Sequence, residues 1–197
     1  IKRRWIWWLI LNGIILNTRP KKVSKAYAGI WQKDSPMRLI ARQQAKKLQE
    51  SLGDDVQVHW AMTYGSNSLR QCLSELQQST VDKILVLPLY PQYSATTTGA
   101  VYDIVAKFVQ STRDIPDIRI LKDYHQHPLY INALASSIKK HWHQHGQAER
   151  LVLSYHGIPK EYVTKGDPYQ KQCLATSEAL VNRLELKQSD YKVCFQS

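Results

Sequence analysis

The sequence has few cysteines, and they are widely spaced. Three occur in 197 residues (Cys72, Cys173 and Cys194), and none belongs to a C-x-x-C pair. This spacing argues against a zinc knuckle, and the odd number fits a reducing compartment with free thiols. The three residues are therefore interpreted as small, buried apolar side chains.

Acidic residues are missing from the beginning of the chain. No Asp or Glu precedes Asp34, and the net charge of +11 comes largely from eight basic residues before it: Lys2, Arg3, Arg4, Arg19, Lys21, Lys22, Lys25 and Lys33. A local patch of one charge gives information about which partner the surface binds, and not about the fold. Nucleic acid is not the expected partner, because these basic residues are interleaved with aliphatic surface that suits lipid better than phosphate.

A long, uninterrupted apolar run is also lacking. The segment WIWWLILNGIIL (residues 5–16) is broken by Asn12 and Gly13 and is shorter than the ~20 residues of a membrane span. No A-x-A-like cleavage site follows it, so it does not match a clean signal peptide. Three tryptophans and basic flanks suit a helix that lies on an anionic membrane surface. A core helix is the alternative.

Motifs for nucleotide binding and for hydrolysis are absent. There is no G-x-G-x-x-G, no Walker lysine and no G-x-S-x-G around Ser154. The run HWHQH puts His141 and His145 on one helix face without the glutamate of a zincin, and a solvated helix end is predicted there. The HQH at residues 125–127 is an equally weak indication of a metal site.

Strands and helices alternate along the chain. Strands are predicted over 56–62, 83–88, 118–121, 151–154 and 191–195, and helices over 19–31, 36–51, 67–79, 96–112, 130–145 and 168–184. Strands that alternate with helices of ten or more residues indicate an α/β fold with a largely parallel sheet.

Three loops are predicted to follow the carboxyl ends of strands, where ligands bind in open parallel sheets. They are TYGSNS after Met62, PLYPQYSATTTG after Leu87 and SYHGIP after Leu153, all rich in Tyr, Ser and Gly. The hydroxyls of residues 94–98 suit either an anion or simple helix capping. His156 suits a general base, a metal ligand or a structural role, and its position alone leaves these open.

The segments LPLYPQYSATTTGAV and LSYHGIPKEYVTKGDPYQKQC, with the terminal FQS, resemble ferrochelatase. This family inserts ferrous iron into a porphyrin in the last step of haem synthesis, and the resemblance covers essentially the whole chain. It implies a chelatase-like α/β fold of two Rossmann- or flavodoxin-like lobes with parallel sheets and a porphyrin cleft between them. Residues 1–125 would form most of the first lobe, including an active-site lip at 1–36, and residues 126–197 the connecting helix and the beginning of the second lobe.

The resemblance also implies the roles of particular residues. His156 is expected to be the catalytic, metal-site histidine, which binds Fe²⁺ or accepts the pyrrole protons. The expected product is protohaem, formed from protoporphyrin IX and ferrous iron as substrates, with no resident cofactor. The alternatives are a catalytically incomplete porphyrin-binding fragment and a chelatase relative for another metal or tetrapyrrole. The residues expected to bind porphyrin are Arg19, Tyr27, Ser35, Tyr90, Tyr93 and Tyr124.

Departures from the family pattern refine these expectations. Members with an iron–sulfur cluster carry a cysteine where Ala95 stands, so no cluster is expected, and Thr63 replaces a common arginine. The opening L-G-T-P loop and the glutamate that works opposite the histidine are missing, which predicts truncation at both ends. The lip predicts peripheral membrane contact through residues 1–25 and a cytoplasmic location on the inner face of the membrane.

Overall fold

The computed structural model of the chain describes residues 8, 10–16, 28, 29, 31, 34–79 and 81–196. They fall into two compact units, Ile1–Ala61 and Met62–Ser197. The strands of the described chain all belong to the second unit, which carries most of the predicted site. The predicted lobe boundary near residue 125 stays a prediction.

The first unit contains the long helix α1 (Pro36–Leu52), which confirms the helix predicted over 36–51. Its first residue is a proline, whose missing N–H would have no partner in a first helical turn. Ser35 occupies the N-cap position, and its backbone N–H donates to the Asp34 carboxylate at 2.8 Å. The same carboxylate lies 3.4 Å from Arg38 and 3.6 Å from Arg42, so it fixes the beginning of the helix.

The strand predicted over residues 56–62 is wrong. The segment is extended, but the Gln49 side chain donates to the Val56 carbonyl and accepts the Val58 N–H, both at 2.7 Å. Met62 makes an isolated bridge to Ser68. Two of the backbone groups that could have paired with a neighbouring strand are thus bound by a side chain of α1, which the alternating pattern does not reveal.

The apolar segment near the start of the chain is helical where it is described. A π-helical turn spans Leu11–Ile15, and the Asn12 side chain donates to the Trp8 carbonyl at 2.8 Å. Trp8 is 62% exposed and Leu16 is 52% exposed. No helix within the described ranges is long and apolar enough to cross a membrane. The helix predicted over 19–31 lies almost entirely outside those ranges.

The second unit alternates helices and strands, as predicted. The helices are α2 (Leu69–Gln78), α3 (Thr98–Ser111), α4 (Pro128–His145), α5 (Lys160–Thr164) and α6 (Tyr169–Leu184). The strands are β1 (Lys83–Val86), β2 (Asp117–Ile120), β3 (Leu151–His156) and β4 (Tyr191–Gln196). Neither α5 nor a 3-10 turn at Gln188–Asp190 had a counterpart among the predicted elements, since their five and three residues are too few to show a helical period.

The strands form two parallel pairs, which confirms the predicted α/β class. β1 pairs with β2 in the register Lys83↔Asp117, and β3 pairs with β4 in the register Leu151↔Tyr191. Each connection between paired strands includes a helix, as parallel strands require. The carboxyl ends of β1, β2 and β3 lead into the loops that build the candidate site.

Each pair of strands is covered by two helices. Leu73 of α2 and Phe108 of α3 pack with Ile84 of β1, and these side chains are buried. Leu180 of α6 and Ala135 of α4 form the second core, with partly buried residues such as Leu151 and Leu153 of β3 packed against it. Burial of each large apolar side chain contributes about 1.5–3 kcal/mol. These cores hold the strand ends at fixed positions.

Candidate active site at the carboxyl ends of the strands

His156 is the last residue of β3, and its imidazole is exposed. Burial alternates along β3, so that the side chains of Leu151, Leu153 and Tyr155 are half-buried and those between them are exposed. The histidine therefore lies on the face of β3 opposite the helical layer, at the carboxyl edge. The ladder with β4 holds its backbone, because His156 is the register partner of Gln196.

Gly157 allows the two strands to close at this edge. Its N–H donates to the Gln196 carbonyl at 2.6 Å. A Cβ at this position would lie 3.3 Å from the same oxygen, closer than most side chains approach backbone. The glycine next to the histidine is thus explained by the close approach of β4.

The loop after β1 is anchored on helix α6. The Gln92 amide donates to the Thr176 hydroxyl at 2.9 Å, and the Tyr93 N–H donates to the Gln172 side chain at 2.6 Å. Gln92, Gln172 and Thr176 are all buried, so these bonds replace bonds to water that were lost on folding. The loop is therefore held by hydrogen bonds to α6 in addition to the hydrogen bonds within its own turns.

Asp167 connects the loop after β3 to the loop after β1. Its Oδ2 accepts the Ser94 hydroxyl and the Ala95 N–H, both at 2.9 Å, and its Oδ1 accepts the Tyr169 N–H at 3.0 Å. We call these four residues the Asp167 clasp. Ser94 is buried, and its hydroxyl also lies 3.0 Å from the Thr96 hydroxyl. The clasp joins the GDPY motif to the YPQYSATTTG motif.

The loop after β2 joins the same network, which the sequence did not predict. Asp123 accepts from the Gln172 amide at 3.2 Å and lies 2.7 Å from Nδ1 of His125. The Thr176 hydroxyl donates to the His125 carbonyl at 2.9 Å. DYHQH directly follows a predicted strand, so the rule that selected the other loops would also have selected this one.

Two of the predicted porphyrin-binding tyrosines lie close together in these loops. The Tyr124 N–H donates to the carbonyl of Pro91, two residues before Tyr93. The Tyr124 ring packs edge-on against Tyr130 at 5.4 Å, and burial raises its pKa. The Lys122 ammonium lies 5.2 Å above the Tyr93 ring.

Of the other predicted porphyrin-binding residues, two are described and two are not. Tyr90 is 39% exposed in the loop after β1. Ser35 belongs to the first unit, at the beginning of α1. Arg19 and Tyr27 lie outside the described residues. The predicted loop after Met62 closes through the Met62 N–H, which donates to the Asn67 carbonyl at 2.9 Å.

Two half-buried tyrosines and a buried thiol lie behind β3. Tyr155 makes a 2.9 Å hydroxyl–hydroxyl hydrogen bond with Ser177 of α6. Burial raises the pKa of the Cys173 thiol to about 11. Burial, followed by the nearby Cys173, raises the pKa of Tyr169 to about 12, and the His156 backbone partly offsets this rise. The Tyr169 side chain therefore contacts the backbone that carries the histidine.

These raised pKa values predict a loss of stability at alkaline pH. Cys173 and Tyr169 hold their protons more tightly in the folded chain than in the unfolded chain. The free energy of unfolding should therefore fall as the pH rises from about 9, through the folded pKa values of about 11 and 12. Urea denaturation between pH 8 and 10.5 measures this fall, and Cys173→Ala should reduce its slope. An unchanged slope in that variant would contradict the assignment to Cys173.

The described residues show neither a metal-binding cluster of three side chains nor a groove lined by His156. Among them, no three His, Cys, Asp or Glu side chains come together as a metal site. Two open grooves of about 400 and 530 Å³ run along α6, and His156 lines neither of them. The grooves share Leu174 and Glu178. The imidazole of His156 thus lies on an exposed part of the candidate site, outside both grooves.

Comparisons with known proteins agree with this architecture. The sequence profile of the ferrochelatase family matches residues 1–197. The chain is 47% identical over 198 residues to ferrochelatase 1 of Shewanella oneidensis, covering 98% of this chain and 59% of that protein. It is 48% identical over 195 residues to the ferrochelatase of Vibrio cholerae (98% and 60%) and 46% identical over 199 residues to that of Marinobacter nauticus (98% and 54%).

The chain spans between 54% and 60% of the length of these curated relatives. The match nevertheless extends over all of its own residues and includes both motifs that the Asp167 clasp connects. On the strength of that match, the chain belongs to the ferrochelatase family.

Proposed function

We propose that the protein containing this chain inserts ferrous iron into protoporphyrin IX to form protohaem, with release of two protons. The observation that carries the proposal is the exposed His156 at the carboxyl end of β3, in a chain of this family. The loops after β1 and β2 form hydrogen bonds to the same helix, α6, which packs against β3. The reaction needs such a group because both pyrrole N–H protons must leave as the metal enters.

The chemistry of His156 suits either of two steps. A neutral imidazole nitrogen can act as a general base and accept a proton from a pyrrole N–H. It is also a suitable ligand for ferrous iron, the metal substrate. Pairing of β3 with β4 and the Gly157 bond fix its backbone, which limits the number of orientations the ring can adopt. A base that is held beside its substrate accepts a proton faster than one that must first meet the substrate by diffusion.

Three of the proposed porphyrin-binding residues lie in loops that follow the strands. Tyr90, Tyr93 and Tyr124 would pack against the macrocycle, since aromatic rings contribute large contact areas with specific geometry. Support comes from the location of all three in strand-end loops of the same network. Arg19, Tyr27 and Ser35 would bind the propionate edge, for which a guanidinium and hydroxyls are suitable donors. The two lobes, divided near residue 125, would enclose the porphyrin.

The proposal extends to the location of the protein. Residues 1–25 would contact the inner face of the membrane as a peripheral surface, with the remainder in the cytoplasm. The exposed side chains of Trp8, Ile10 and Leu16 and the basic residues before Asp34 support this arrangement. An iron–sulfur cluster is not expected, because Ala95 stands at the position of its first cysteine.

The test is a metal-insertion assay on the full-length protein. Protoporphyrin fluorescence should decay on addition of Fe²⁺ under anaerobic conditions, with the absorption spectrum of protohaem appearing at the same rate. Heat-denatured protein is the control for spontaneous insertion. Porphyrin binding without metal insertion would support the alternative of a binding protein. Insertion of Co²⁺ into another tetrapyrrole, with no activity towards Fe²⁺, would support the other alternative.

A further inference from the structure

The histidine-rich end of α4 takes no part in the proposed site. His141 and His145 are one helical turn apart near the C-terminus of the helix, and both are exposed. Their ring centroids lie 4.5 Å apart, with planes tilted by 38°. We propose that this pair binds one divalent transition-metal ion at the protein surface. The proposal is independent of the proposed function, because the strand-end loops lie at the opposite end of α4.

The geometry of the pair suits a shared ion. Two imidazole nitrogens that each bind a metal at about 2.1 Å are roughly 3.0–3.4 Å apart. Rings with centroids 4.5 Å apart can present nitrogens at this separation through rotation about their side-chain torsions, without movement of the helix. The same spacing of four residues places both histidines of H-E-x-x-H helices on one zinc ion.

The charges near the histidine pair act both for and against the binding of a cation. The C-terminus of a helix carries partial negative charge, which favours a cation beside His145 in the last turn. Lys139 and Lys140, both exposed, precede His141 and oppose binding. Salt screens such exposed charges beyond about 8 Å at physiological ionic strength. The repulsion therefore weakens the site without abolishing it.

The number of protein ligands determines whether a metal site is structural or weak and exchangeable. No third His, Cys, Asp or Glu joins a metal-binding group in the part of the chain that the structure describes. Water would fill the remaining positions, so the site should be weak and exchangeable rather than structural. Imidazole ligands select Cu²⁺, Zn²⁺, Ni²⁺ and Fe²⁺ over Mg²⁺ and Ca²⁺, with Cu²⁺ bound most tightly.

The test is a Zn²⁺ titration of the full-length, tag-free protein, followed by NMR of the histidine side chains. This readout separates the pair from His156 and from the histidines of the loop after β2. We expect the His141 and His145 signals to shift together with one midpoint. His145→Ala should raise that midpoint for His141 at least about tenfold. Mg²⁺ should shift neither signal.

His143→Ala is the matched control, because it removes an exposed histidine two residues from each member of the pair and on another helix face. It should leave the Zn²⁺ midpoint unchanged. Circular dichroism should be the same for all variants, since each alters an exposed side chain. Independent midpoints for His141 and His145, or a midpoint for His141 that His145→Ala does not change, would overturn the proposal.

Discussion

Replacement of His156 by alanine in the full-length protein should lower the rate of metal insertion by at least about a hundredfold, the usual contribution of a general acid–base group. The side chain is exposed at the end of β3, so its removal does not open a core or break a hydrogen bond on which folding depends. The loss should therefore appear in kcat. Stability and the affinity for protoporphyrin, measured by fluorescence quenching, should change little.

The control for this variant is His143→Ala. His143 is also exposed, but it lies in the last turn of α4, remote from the helix end that meets the strand-end loops. That variant should retain the activity of the unmodified protein. Unchanged turnover of His156→Ala would remove the histidine from the mechanism.

Replacement of Asp167 by alanine should destabilise the second unit by about 2–4 kcal/mol, because it removes the acceptor of three hydrogen bonds and leaves the buried Ser94 hydroxyl with only Thr96 as a partner. Ala95 is exposed and its N–H can bind water, which keeps the estimate below the sum of three bonds to a charged group. Urea denaturation measures the loss. The same variant should lower kcat more than it changes KM, because the loops after β1 and β3 lose their connection.

Three variants make the test of the clasp specific. Asp114→Ala removes an exposed aspartate in the turn after α3 and should change stability by no more than about 0.5 kcal/mol. Ser94→Ala removes one of the three bonds to Asp167, together with the bonds of its hydroxyl to Thr96, and should cost less than Asp167→Ala. The double variant should be less destabilised than the sum of the two single variants, since the residues share a bond. Full additivity would show that Ser94 and Asp167 are not coupled.

The elements that were predicted correctly have local causes. β3 is an apolar run of β-forming residues, and α1 and α4 begin with a proline directly after the cap residue. Such signals arise within a few residues of sequence, so they remain readable without a fold. The strand predicted over 56–62 shows the limit of this reasoning. Its alternating pattern was real, but Gln49 bound two of the backbone groups that a neighbouring strand would have needed.

The bonds that assemble the site have non-local causes. Gln92 and Thr176 are 84 positions apart, Tyr93 and Gln172 are 79 apart, and Asp123 and Gln172 are 49 apart. Gln172 and Thr176 occur in an ordinary helical sequence, and nothing in their immediate neighbours indicates which loops they will bind. Their partners depend on how α6 packs against the strand ends.

The sequence by itself determined the α/β class, the family motifs and the position of His156 at a strand end, because these depend on short-range patterns of apolar, polar and glycine residues. Only the tertiary structure decided that Asp167, Gln172 and Thr176 join the three strand-end loops, and that Gly157 is needed where β4 approaches. The physical reason is that a buried polar group must find its partner in the folded chain. That partner is set by packing and not by proximity in sequence.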